Sequence, residues 1–90
     1  MRRYVIERDM PKIGSADRAA LREGSQNSNR ALAELGPKIQ WKESYVTDDK
    51  IFCVYLAENE EIIREHARRS GFPADRIAEV RNVIDPLTAT

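Results

Sequence analysis

The chain has a single cysteine in 90 residues, so an intrachain disulfide is excluded and a reducing, cytoplasmic setting is expected. It has no apolar run near the length of a membrane span, and nothing after Arg2-Arg3 reads as an export signal. An excess of either charge is also missing. Fifteen Lys and Arg stand against fifteen Asp and Glu with no basic block, which removes the long-range pull toward nucleic acid or an anionic lipid surface. With one histidine there is no HxxxH or HxxE pair to chelate a metal from a helix. No nucleophile with an orienting base and no phosphate loop stands out by spacing, so no residue is assigned a catalytic role.

What is present reads as one domain, residues 1–90, with 85–90 as a C-terminal tail. Its centre is Trp41 to Ala57, two strands joined by the polar turn Thr47-Asp48-Asp49-Lys50. A regular register pairs Val46 with Ile51, Ser44 with Cys53 and Lys42 with Tyr55 on one face. Trp41, Glu43, Tyr45, Phe52, Val54 and Leu56 then share the other. The run Ile51 to Leu56 is apolar throughout, as expected of a central strand covered on both faces.

Tyr4-Val5-Ile6 reads as a second central strand, with Glu7 and Arg8 at its exit. After the Pro and Gly of Met10 to Gly14, Ser15 is the expected cap of a helix that ends at Leu35, where Gly36-Pro37 stops it. Leu21, Ser28, Leu32 and Leu35 give this helix an inward stripe with small residues midway. Asn59 caps a second helix, with Glu60 and Glu61 in its first turn, Arg68 and Arg69 in its last, and Gly71 beyond. Ile62, Ile63 and His66 cluster on its inner face. Phe72 is expected to fold back on the core, and Ile77 to Ile84 reads as the last strand.

Strand, helix, strand, strand, helix, strand, with right-handed crossovers, gives an α+β ferredoxin-like βαββαβ domain: a four-stranded antiparallel sheet with two helices on one face. Two helices cover only one side of it. An apolar patch left in water marks a contact, so a homodimer is expected that packs sheet against sheet, or edge against edge into a closed α/β barrel, with the helices outside.

The segments Ile39-Gln40-Trp41, Ser44 to Ile51, Cys53-Val54-Tyr55, Ile63-Arg64-Glu65-His66-Ala67 and Gly71 to Ile77 carry a further signal. In this order they resemble a family of small bacterial nickel-binding proteins, and the likeness extends from Tyr4 to Pro86. The resemblance implies a dimeric ferredoxin-like domain that binds Ni²⁺ or a similar divalent transition metal, with sequestration as the expected use; it does not imply catalysis.

The candidate metal ligands are His66, Cys53 and Glu43. A thiolate is a soft ligand suited to nickel, copper or zinc, and an imidazole is its natural partner. Each also has a plainer role: Cys53 as a small buried hydrophobe, His66 as a hydrogen-bonded core residue, Glu43 as a charge at the sheet rim. In the regular register, Cys53 and Tyr55 lie opposite Glu43 and Tyr45. The set meeting His66 is then Glu43-Tyr45 or Cys53-Tyr55, according to the face the helices cover. Trp41, Tyr45 and Tyr55, with Phe52, form the alternative: an aromatic pocket for a small organic ligand in a dimeric barrel enzyme or carrier, with His66 moving a proton. A third possibility is an interaction module that recruits a protein through its open sheet face.

Overall fold

A computed structural model describes residues 1–90. Strand β1 spans Arg2–Asp9, helix α1 Arg18–Leu35, strand β2 Ile39–Val46, strand β3 Lys50–Ala57, helix α2 Glu60–Ser70 and strand β4 Arg76–Glu79. The sheet is antiparallel in the order β2-β3-β1-β4, so the two strands with the most apolar sequences are central. This is the ferredoxin-like arrangement, with both helices on one face. No helix is long and apolar enough to cross a membrane.

Burial alternates along the central strands. Tyr4, Ile6 and Arg8 of β1 and Cys53, Tyr55 and Ala57 of β3 are buried under the helices, whereas Val5, Glu7, Phe52, Val54 and Leu56 on the reverse are half-buried. The core joins Tyr4, Ile6, Ile39, Cys53, Tyr55 and Ala57 to Ile63 of α2. Helix α1 presents Ser28 and Ala31 to the sheet, and these small side chains let its backbone lie close. Within one chain the central strands are covered on one face only, not on both. The open face is also mixed: Glu7 there pairs with Lys50 at 2.6 Å and Arg76 at 2.8 Å.

The helix boundaries follow their caps. Asn59 Oδ1 accepts from the Ile62 amide at 3.0 Å, and Gly71 at φ 79° closes α2 in the left-handed region, which a side chain would resist. At α1 the cap is Asp17, which accepts from the Ala20 amide, and not Ser15. Ser15 ends a 3₁₀ turn over Ile13–Ser15 that is fastened to the β2–β3 turn. Met10 and Gly14 donate backbone hydrogen bonds to the Asp49 and Asp48 carbonyls at 2.9 Å, and the Lys12 amide donates to Asp49 Oδ1 at 2.8 Å.

Three other expectations are corrected. Strand β1 continues through Glu7 and Arg8 to Asp9, paired with β3 along its whole length: Glu7 falls on the open face beside Lys50 and Arg76, and Arg8 on the covered face donates to Cys53 and to the Pro73 carbonyl. Strand β4 stops at Glu79 and does not reach Ile84; beyond the Val80 amide, which donates to the Arg3 carbonyl, the chain leaves β1, so Val83, Ile84 and Leu87 are exposed. The radius of gyration, 13.8 Å, exceeds the roughly 12 Å of a compact chain of this length.

The third concerns β2. Its register slips between Trp41 and Glu43, leaving Lys42 as a bulge, so Tyr55 faces Trp41 and not Lys42. Ser44 opposite Cys53 and Val46 opposite Ile51 hold as the regular pairing has them. The extra residue puts Trp41 on the helix side while Glu43 and Tyr45 stay on the open side.

Candidate functional site

The bulge brings Trp41 over Ser44, and its indole Nε1 donates to the Ser44 hydroxyl at 2.9 Å. Ser44 Oγ donates in turn to Cys53 Sγ at 3.0 Å. On the next strand Arg8 Nε donates to the same sulfur at 3.4 Å, and Nη1 donates to the Pro73 carbonyl at 2.7 Å. Arg8 is only 2 % exposed. Its remaining nitrogen, Nη2, is buried without a partner, and no carboxylate pairs with the guanidinium.

His66 is fully buried. Its Nε2 lies 3.1 Å from the Ser28 hydroxyl, its ring is tilted at 56° to Tyr55 with centroids 5.4 Å apart, and Nδ1 has no partner. Burial pushes the imidazole pKa below its ordinary 6.5 and the Arg8 charge pushes it the same way, against a smaller opposing effect of the Ser28 hydrogen bond. The ring is therefore neutral at pH 7. Burial also raises the Tyr55 phenol, more than the Arg8 cation lowers it.

Arg8, Ser28, Trp41, Ser44, Cys53 and Tyr55 line a half-open cavity of about 140 Å³ between α1 and the sheet. Arg8, Ser28, Cys53 and Tyr55 form its buried end. Trp41, Leu21, Phe72, Met10 and Ile13, all half-buried, are walls, and the exposed Ala20 and Val46 rim the opening. Gly24 keeps the Phe72 side open, since a Cβ there would stand 3.3 Å from the Phe72 ring. The turn-to-loop hydrogen bonds of Met10, Lys12 and Gly14 fix the rim.

The structure thus divides the residues singled out in the sequence. Cys53, Tyr55 and Trp41 line the cavity, and His66 stands behind it against Ser28 and Tyr55. Glu43 and Tyr45 lie on the other face of the sheet, exposed and hydrogen-bonded to each other, and the Glu43 carboxylate raises the Tyr45 phenol pKa. Phe52 is on that face too, so neither His66-Cys53-Glu43 nor Trp41-Tyr45-Tyr55 is one constellation within a chain. No three His, Cys, Asp or Glu side chains converge to hold an ion.

Cys53 and His66 alone do not suit a divalent cation. They offer two donors, Nε2 is engaged by Ser28, and the Arg8 guanidinium lies against the sulfur. The principal site residue that the sequence does not single out is Arg8, which reads there as the exit of a strand. Its signal was the period of two that places it on the same face as Tyr4 and Ile6.

A family model described as nickel responsive protein SCO4226-like matches residues 4–80. Among solved structures, the crystal structure of SCO4226 from Streptomyces coelicolor A3(2) aligns with a TM-score of 0.76 at 18 % identity, covering 91 % of this chain and 99 % of that one. The likeness establishes the shared fold. No curated protein sequence matches the chain.

Proposed function

The chain belongs to the SCO4226-like family of nickel responsive proteins, and from that premise we propose that it is a small divalent-metal-binding protein, taking Ni²⁺ or a similar transition ion for sequestration. The family match over residues 4–80 carries the reading. Because the buried Cys53-His66 pair is a poor cation site, the reading assigns the ion to donors outside the cavity. Of the three candidate ligands, Glu43 is the one that solvent and another protein molecule can reach.

A single carboxylate is too few ligands for a transition ion, so this reading includes a homodimer that joins donors from two copies. Two features favour the assembly. The open sheet face carries Val5, Phe52, Val54 and Leu56 only half-buried, and the tail presents Val83, Ile84 and Leu87 to water.

Calorimetric titration of metal-stripped protein with Ni²⁺, run beside a measurement of mass in solution, tests both parts. The expected result is saturable Ni²⁺ binding by a dimer that Glu43→Gln weakens and Cys53→Ser leaves intact. A monomer that takes up no Ni²⁺ would sink the reading, and loss of binding in Cys53→Ser alone would move the ion into the cavity.

A further inference from the structure

The least expected group in the molecule is the cation at the buried end of the cavity. A guanidinium stays charged at any physiological pH, and an uncompensated charge removed from water costs several kcal/mol. The neighbouring Glu7, on the open face, has two cations within 2.8 Å. Arg8, far more deeply buried, has a carbonyl, a sulfur and one nitrogen with nothing to bond. That nitrogen belongs to a side chain lining a cavity whose other walls are mainly apolar.

We propose that the cavity binds a small monocarboxylate with a compact apolar or aromatic body, its carboxylate paired with Arg8 and its body against Trp41, Leu21 and Phe72. The charge selects an anion, because a cation is repelled there and a neutral molecule leaves the guanidinium unpaired. The walls select an apolar body, which a bare inorganic anion lacks. The volume sets the size: about 140 Å³ is close to that of an engineered cavity known to hold benzene. Ligands of the dimensions of benzoate or a short branched-chain acid fit this description. The inference is independent of the nickel reading, since it concerns the opposite face of the sheet and a ligand of opposite charge.

Trp41, the one tryptophan, stands in the wall and reports occupancy by its fluorescence. Metal-stripped protein is titrated with benzoate and isovalerate, and with benzyl alcohol and inorganic phosphate as the uncharged and bodiless controls. Expected are saturable changes with both acids at Kd of about 1 mM or tighter, and a preference over benzyl alcohol of roughly tenfold or more.

Arg8→Gln is expected to erase the preference. Should that variant fail to fold by circular dichroism, Leu21→Phe, which fills the cavity and keeps the charge, is expected to abolish acid binding. Equal response to benzoate and benzyl alcohol, a response to phosphate as strong as to the acids, no saturation with either acid, or undiminished acid binding in folded Leu21→Phe would each overturn the proposal. None of these outcomes depends on whether Ni²⁺ binds.

Discussion

Acidification should loosen this protein through one residue. His66 is the only histidine, fully buried, and held neutral by its burial and by the Arg8 cation, with Ser28 and Tyr55 as its other polar neighbours. Its folded pKa lies below the 6.5 of the unfolded chain. The unfolded state therefore takes up the proton first, and the stability held by the neutral ring is present above pH 6.5 and lost as the pH falls toward the lowered folded value.

Where the folded ring stays neutral throughout, the change from about pH 7.5 to 5.5 removes up to about 1.4 kcal/mol, one proton's linkage over that interval. With a urea dependence of roughly 1 kcal/mol per molar for a small domain, the midpoint should drop by about 1 M. The displaced carboxylates do not interfere, because Glu7 and Glu65 are lowered from 4.5 and titrate below the window. Urea melts followed by Trp41 fluorescence at three pH values would measure the effect, with His66→Gln as control. A midpoint that does not move in the native chain, or one that falls equally in His66→Gln, would refute the argument.

Two substitutions probe the frame around the cavity. A Cβ at position 14 would meet Asp48 Cα at 2.7 Å and the Thr47 carbonyl at 2.9 Å, so Gly14→Ala should force the 3₁₀ turn off the β2–β3 turn and cost about 1–3 kcal/mol, read as a lower thermal midpoint; an unchanged midpoint would mean that the contact gives way freely. Ile63 is fully enclosed between α2 and the sheet, and Ile63→Ala should cost about 2–5 kcal/mol in chemical denaturation, while a loss below 1 kcal/mol would show that the core closes over the gap.

The fold was legible because local signals and topology agreed. The cap at Asn59, the left-handed Gly71 and the two apolar strands each pointed to the same arrangement, and the sheet order bears them out. What escaped the sequence depends on register and on contacts across the chain. Lys42 looks like any exposed strand residue, so nothing local announces that it is unpaired, and Trp41 was assigned to the wrong face as a result. Ser15 and Asp17 are both good caps. The choice between them is made by the hairpin turn, which captures Ser15's neighbours for a different purpose.

Arg8 gives no local sign of its role, since its partners Cys53 and Pro73 are 45 and 65 residues away in the chain. The apolar Val80, Val83 and Ile84 suggest a longer β4, but the chain leaves β1 after the Val80 amide bonds the Arg3 carbonyl, and nothing in those side chains signals the departure.

The unpaired Lys42 divides β2 into two phases, with Ile39 and Trp41 odd-numbered and Ser44 and Val46 even-numbered on the helix side. Deleting that one codon would close the two phases up without turning a side chain: Trp41 would become the direct neighbour of Glu43, as their partners Tyr55 and Val54 already are, and Ile39 and Trp41 would stay on the helix side. The lysine is therefore an insertion that the sheet accommodates and its pairing does not require, and a descendant of this chain can drop it and keep both surfaces of the strand.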